Sequence, residues 1–160
     1  MKLITIYLAI LFSIAGCNVS FNTENKTTPS NVSSGTSEQQ AEAESAARSY
    51  LAMIDQKQYK ETWLQVGPAL SAQLNEFTWV NTLTLTRKAF DGGANRQVEG
   101  FAFTPQIEPH VPVGEYVLVQ FKDIAGNVTT TEKVVMQKDG GKWKIVGYTI
   151  FKNQQFGGDN

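Results

Sequence analysis

The 160-residue chain has one cysteine, Cys17, and one histidine, His110. The shortage of cysteine excludes a disulfide framework, thiolate zinc sites and a cysteine nucleophile from the body of the chain, which must be stable through packing alone. A lone histidine without a His-x-His or cysteine cluster predicts no metal site, and no cofactor is expected. Charge of one sign is missing too. Fourteen lysines and arginines stand against fifteen acids, for a net charge of −1, and the two signs interleave without a basic face. Nucleic-acid binding draws its affinity from clustered cations that displace counterions, so this class is disfavoured, as is a polybasic membrane patch. There is no Gly-x-Ser-x-Gly nucleophile motif. Gly140-Gly141 falls between strand-like segments and not between a strand and a helix, which argues against a phosphate loop.

What is present begins with an uneven hydrophobic distribution. Met1-Lys2 precedes an apolar run from Leu3 to Phe12, which at about ten residues is half the ~20 needed to span a bilayer. Small residues follow, as they do before a signal-peptide cut. Ile14-Ala15-Gly16-Cys17 resembles the lipobox of bacterial lipoproteins: an aliphatic residue, two slim residues and an obligatory cysteine. That resemblance implies a signal peptide over 1–16 and a lipid on Cys17. Two or three acyl chains, at ~0.8 kcal/mol per buried methylene, make such an anchor effectively permanent. The plainer alternative is a secretory peptide that leaves an unpaired cysteine, itself a liability. Asn18 is not the aspartate that commonly retains lipoproteins at the inner membrane. The expected address is therefore the outer membrane, facing the periplasm, if the host has two membranes.

Residues 17–37 form the expected tether. They are rich in Asn, Ser and Thr, bury too little to offset ordering entropy, and as a coil of ~20 residues would span ~25 Å. A single globular domain is expected over 38–153, with a frayed polar tail at 154–160.

Ser37-Glu38-Gln39-Gln40 reads as a capping box with Ser37 at the N-cap. Ala43, Ala46, Ala47, Tyr50, Leu51 and Ile54 then recur at helical spacing, which predicts a long helix over 38–56. Shorter helices are expected at 59–66, 69–74 and 76–90, the last ended by Asp91-Gly92-Gly93. Beyond Ala94 the pattern becomes strand-like, with strands expected at 97–104, 115–121, 128–137 and 143–151. Ala125-Gly126-Asn127 and Asp139-Gly140-Gly141 mark turns. Helices followed by four consecutive strands predict an α+β fold, with N-terminal helices packed on a curved four-stranded antiparallel sheet.

The stretch 46–151 resembles the bacterial family known as domain of unknown function 4019. The likeness rests on Tyr50-Leu51, Ile54-Asp55, Tyr59, Trp63, Trp79, Arg87 with Arg96, Pro112-Val113-Gly114-Glu115-Tyr116 and the closing run Asp139–Tyr148. The family usually has a proline and then a glycine soon after its first arginine; here those positions are Ala89 and Asp91, with the glycines at 92 and 93. The resemblance implies a secreted or lipid-anchored domain and carries no known activity. The order of elements is also similar to the cystatin or nuclear-transport-factor-like cone, an analogy of architecture alone.

Arg87 and Arg96 resemble the family's paired arginines and are the leading polar candidates. They could clamp a carboxylate or phosphate, or serve structurally in salt bridges with their stems on aromatics. Scattered acids (Asp55, Glu61, Glu99, Glu115, Glu132) could act as bases only if buried in a pocket; otherwise they are solvated. His110, between Pro109 and Pro112, reads as an exposed loop residue. No catalytic set is assigned. The leading expectation is a non-catalytic lipoprotein domain, held to the membrane through Cys17, that binds an envelope protein or small ligand. The alternative is a cone-fold enzyme doing acid–base chemistry or hydrolysis on a small molecule.

Overall fold

The computed structural model describes residues 32–154; the expected leader, Cys17, most of the tether and residues 155–160 lie outside them. Helix α1 spans Ser37–Asp55 and is capped by Thr36, one residue earlier than expected. The Thr36 hydroxyl accepts from Gln39 N at 3.3 Å, and the Gln39 side chain accepts from Thr36 N at 2.8 Å. Thr36-x-x-Gln39 and Ser37-x-x-Gln40 satisfy the same capping-box pattern. Packing selects the first. Gly35 adopts a φ of 75° against the Phe103 ring, where an added Cβ would lie 2.5 Å from a ring carbon. Gln40 instead donates to the Ser34 carbonyl. The inward face of α1 is Ala43, Ala47, Tyr50, Leu51 and Ile54, all buried.

The expected helix at 59–66 divides into α2, Tyr59–Thr62, and a 3-10 turn over Trp63–Gln65. Val66 is extended because it leaves the helix to bridge Ile145, and Gly67 N donates to the Ile145 carbonyl at 2.7 Å. Pro68 then opens α3, Pro68–Ser71, as proline suits a first helical turn. Helix α4, Glu76–Ala89, is capped by Asn75 and buries Trp79, Leu83 and Thr86. The Trp79 indole donates to the Thr62 hydroxyl at 3.0 Å, tying α4 to α2.

Strands β1 (Gln97–Thr104), β2 (Tyr116–Ala125), β3 (Val128–Asp139) and β4 (Lys142–Gln154) form one antiparallel sheet in the order β1-β2-β3-β4. The fold is α+β. β2 extends four residues past its expected end, since Lys122, Asp123, Ile124 and Ala125 pair with Thr131 to Val128 despite their weak strand pattern. Gly140 and Gly141 both have positive φ, the requirement of a tight two-residue hairpin turn that follows the twist of the strands.

The sheet is strongly curled. Phe103 on β1 and Trp143 on β4 belong to opposite edge strands, yet their ring centroids lie 6.1 Å apart. Register shifts at Val98/Gly100 and Val135/Met136 supply the bends, as bulges do. Val117, Val119, Phe121, Val134, Met136, Ile145, Tyr148 and Ile150 alternate onto one face and join the buried face of α1 in a single core. Both sheet edges are partly covered. Val66-Gly67 lies on β4, and Ser33 exchanges two backbone bonds with Phe103 of β1.

Candidate functional site

Asp55 ends α1, Arg87 lies in the last turn of α4, Arg96 precedes β1, and Glu132 points inward from β3. Tyr148 stands on β4 beside Glu132, its register partner being Val134, so the two form a diagonal pair on one face. The ends of α1 and α4 and the start of β1 thus converge with the middles of β3 and β4 on one charge cluster.

Arg96 grips both acids. It donates to Asp55 at 2.6 and 2.8 Å and to Glu132 at 2.7 and 3.3 Å. Arg87 donates to Asp55 at 2.9 Å and to the Tyr148 hydroxyl at 3.4 Å, and it lies 3.9 Å from Glu132. Tyr148 donates to Glu132 at 2.8 Å, and Gly93 N donates to it at 2.9 Å. The Glu132 side chain is 1% exposed, whereas Asp55 is 39% exposed at the outer mouth. Two guanidiniums and two carboxylates balance in charge, which is the condition under which burial of ions is tolerable.

The electrostatics follow from this packing. Burial disfavours the charge on Arg96, but hydrogen bonds and attraction from Asp55 and Glu132 outweigh it and hold its pKa above the ordinary value. Burial, reinforced by the Glu132 charge, raises the Tyr148 phenol far above the usual range. Tyr50 stacks edge-on to Tyr148 with centroids 6.2 Å apart. Burial and Tyr148 raise its pKa as well, and its hydroxyl has no hydrogen-bond partner among the described residues. Both phenols are neutral in the physiological range, and only that of Tyr148 donates a hydrogen bond. An orphan hydroxyl in a core costs its desolvation without return. Tyr50→Phe is therefore expected to raise stability by up to about 1 kcal/mol, seen as a higher urea midpoint at unchanged m-value; a lower midpoint would show that the hydroxyl is satisfied.

The loop over 90–96 closes the cluster. A Cβ built on Gly92 falls inside contact distance of both guanidiniums, with Arg87 Nη2 at 2.6 Å, and one on Gly93 would lie 2.8 Å from Asp123 Cβ. Glycine at 92 thus lets backbone lie directly on the arginines.

Arg87 and Arg96, singled out in the sequence, are brought together, with their donors engaged by the protein's own acids. Of the scattered acids only Asp55 and Glu132 join them. Glu61 is exposed. Glu99 accepts from Gln120 and Lys122; the Gln120 bond, above all, lowers its pKa, burial opposes it, and Lys122 adds a smaller lowering. Glu115 lies 3.9 Å from Lys138. His110 is exposed in its loop but lies 3.2 Å from Glu108, a pairing the sequence reading missed. Tyr148 and the Gly92 cover were also missed, because no local pattern distinguishes them from core aromatics and turn glycines. Among the described residues no group of three or more His, Cys, Asp or Glu side chains could hold a metal ion. A hollow of about 280 Å3 opens near Asn95, between the 97–99 and 122–124 segments.

The fold and cluster define an α+β domain in which helix ends are tied to a curled sheet by a neutral set of charges. The chain belongs to the family described as protein of unknown function (DUF4019), whose model matches residues 46–148. No curated protein and no solved structure matches it.

Proposed function

We propose that the protein is a lipid-anchored envelope lipoprotein whose domain binds an envelope protein or small ligand without catalysing a reaction. The observation that carries the non-catalytic reading is the engagement of Arg87 and Arg96, the leading site candidates, by Asp55 and Glu132 beneath the Gly92 backbone. Arg96, with four bonds to two carboxylates, has little capacity left for a substrate anion, and Arg87 is tied to Asp55 and the Tyr148 hydroxyl. Glu132, the acid best placed inside the core, is held by Arg96, Tyr148 and Gly93 N and so lacks the free lone pairs a general base needs. These contacts favour a structural cluster over the alternative of acid–base or hydrolytic chemistry in a pocket.

The anchor reading rests on Ile14-Ala15-Gly16-Cys17 and on the absence of any other cysteine. Among the described residues no helix is long and apolar enough to cross a membrane. In a two-membrane host the proposed address is the outer membrane, facing the periplasm. Cys17→Ala is expected to move the protein from the membrane fraction to the soluble fraction, and to abolish incorporation of labelled palmitate. A variant that stays membrane-bound would overturn the anchor.

A further inference from the structure

The two acids of the charge cluster are not held alike. Glu132 is gripped from three directions, by Arg96, the Tyr148 hydroxyl and Gly93 N. Asp55 accepts only from guanidiniums among the described residues, at 2.6 and 2.8 Å from Arg96 and 2.9 Å from Arg87. It is the most exposed side chain of the four charges, so the cluster meets solvent through it.

Asp55 also occupies a place its own segment does not favour. It is the last residue of α1, where the carbonyl ends carry partial negative charge, and the last turn has no basic residue. Two positions on, Lys57 has a φ of 60° and is the one non-glycine among the described residues with positive φ. Lys57 N donates to the Ile54 carbonyl and Gln58 N to the Met53 carbonyl, each at 2.9 Å. This is a helix-ending turn whose left-handed position usually falls to glycine. Local charge and local backbone thus both oppose the arrangement that seats Asp55, and the arginines hold it there. A contact that overrides the preferences of its own segment is one that a competing ligand can exchange at reduced cost.

We infer that Arg87 and Arg96 form a carboxylate-binding clamp that Asp55 fills as an internal ligand, and that a carboxylate carried by a small molecule or by a partner's chain end takes its place. The inference rests on the ligand-binding reading proposed for the domain and names the ligand's chemistry. While Asp55 is seated the donors are used, so binding is an exchange and not an addition. With Asp55 turned to solvent, two guanidiniums face Glu132 alone, and one incoming negative charge restores the balance that buried ions need. A planar carboxylate matches the fork of Arg96, as Asp55 does with an oxygen on each of two guanidinium nitrogens. A dianionic phosphate would leave an excess negative charge beside Glu132. Competition from Asp55 lowers the apparent affinity by the fraction of time that the clamp stands open.

The chain has three arginines, so the side-chain Nε–H signals of the full lipidated protein in detergent micelles report on the clamp directly. Arg48, paired with Glu44 on the surface of α1, is the internal control. Titration with sodium acetate, against sodium chloride at equal ionic strength, is expected to shift Arg87 and Arg96 saturably in Asp55→Ala and to raise the melting temperature of that variant. In the parent the same two signals should move in the same direction at about tenfold higher acetate or more, because Asp55 must first leave. A folded Asp55→Ala protein whose Arg87 and Arg96 signals ignore acetate, or follow chloride equally, overturns the clamp. A parent that is unresponsive at molar acetate shows Asp55 to be a fixed partner and overturns the exchange; this arm decides the matter even if Asp55→Ala does not fold. Inorganic phosphate binding more tightly than acetate overturns the ligand class. A blocked tripeptide with a free C-terminal carboxylate that binds the parent more tightly than acetate supports the clamp with a partner's chain end as the source. Equal or weaker peptide binding supports it with a small acid. Membrane fractionation is read separately, so silent arginines in a protein that stays on the membrane leave the lipoprotein reading standing.

Discussion

Replacing Glu132 by alanine is expected to lower the stability of the domain by about 3–5 kcal/mol, the usual effect of removing one partner from a buried ion pair. The deletion leaves Arg96 and Arg87 with Asp55 as their remaining acid, in a site where water cannot fully replace the lost carboxylate. It also strips a bond from Gly93 N and an acceptor from the Tyr148 hydroxyl. Urea unfolding of the Glu132→Ala protein against the parent checks the size. A change below about 1 kcal/mol, the level of an exposed pair, would mean that the cluster is far more open to water than its geometry indicates. The double change Glu132→Leu with Arg96→Met removes one charge of each sign, and Arg87 and Asp55 still balance. It is expected to recover most of the loss, since apolar replacements of buried pairs are often neutral or stabilising. Recovery beyond the stability of Glu132→Leu alone, which fills the space but leaves Arg96 unbalanced, would establish that the loss comes from an uncompensated charge and not from a cavity.

Gly92→Ala is expected to cost about 3 kcal/mol, at the upper part of the overpacking range. One methyl group has this effect because of what it meets. The new Cβ would fall against the guanidiniums of Arg87 and Arg96. Such groups would ordinarily swing aside at little cost, but these are held by four bonds from Arg96 and two from Arg87. Either the loop over 90–96 lifts or the charge-assisted bonds stretch. The mechanism has a second signature in a double-mutant cycle. With Arg96→Met in place, Gly92→Ala should cost less than in the parent, because one of the two guanidiniums it meets is gone and Arg87 is freer to move, and neighbouring sites do not add. Strict additivity would place the strain elsewhere in the loop.

Both variants act on a cluster whose members are far apart in the chain, which is why little of it was legible beforehand. Arg87 and Arg96 stood out through their family resemblance. Asp55 and Glu132 did not, since an acid at a helix end and an acid in a Thr- and Lys-rich strand look solvated in isolation. Their partners lie 41 and 36 residues away at Arg96, and such separations leave no periodicity to read. The strand alternation did place Glu132 on the same face as Val134 and Met136, which are fully buried. An acid on the apolar phase of a strand is the one local signal that could have found it, because a carboxylate there must be paired.

The elements themselves were largely written locally. The alanine-rich spacing of α1, the proline at the start of α3, the Asn75 cap of α4 and the glycines of the β3–β4 turn each act through their own few neighbours, so chain pattern is enough to specify them. Where two local solutions were equally good, the tertiary structure decided. Thr36 and Ser37 offered the same capping box, and the Phe103 ring against Gly35 chose between them. Lys122 to Ala125 had weak strand character, and pairing with β3 drew them in. Charge balance was decided last of all. The sequence by itself determined that two arginines and several acids were present; which of them could share a buried site depended on bringing the ends of α1 and α4, the start of β1 and the middle of β3 within hydrogen-bond reach, and only the packed fold does that.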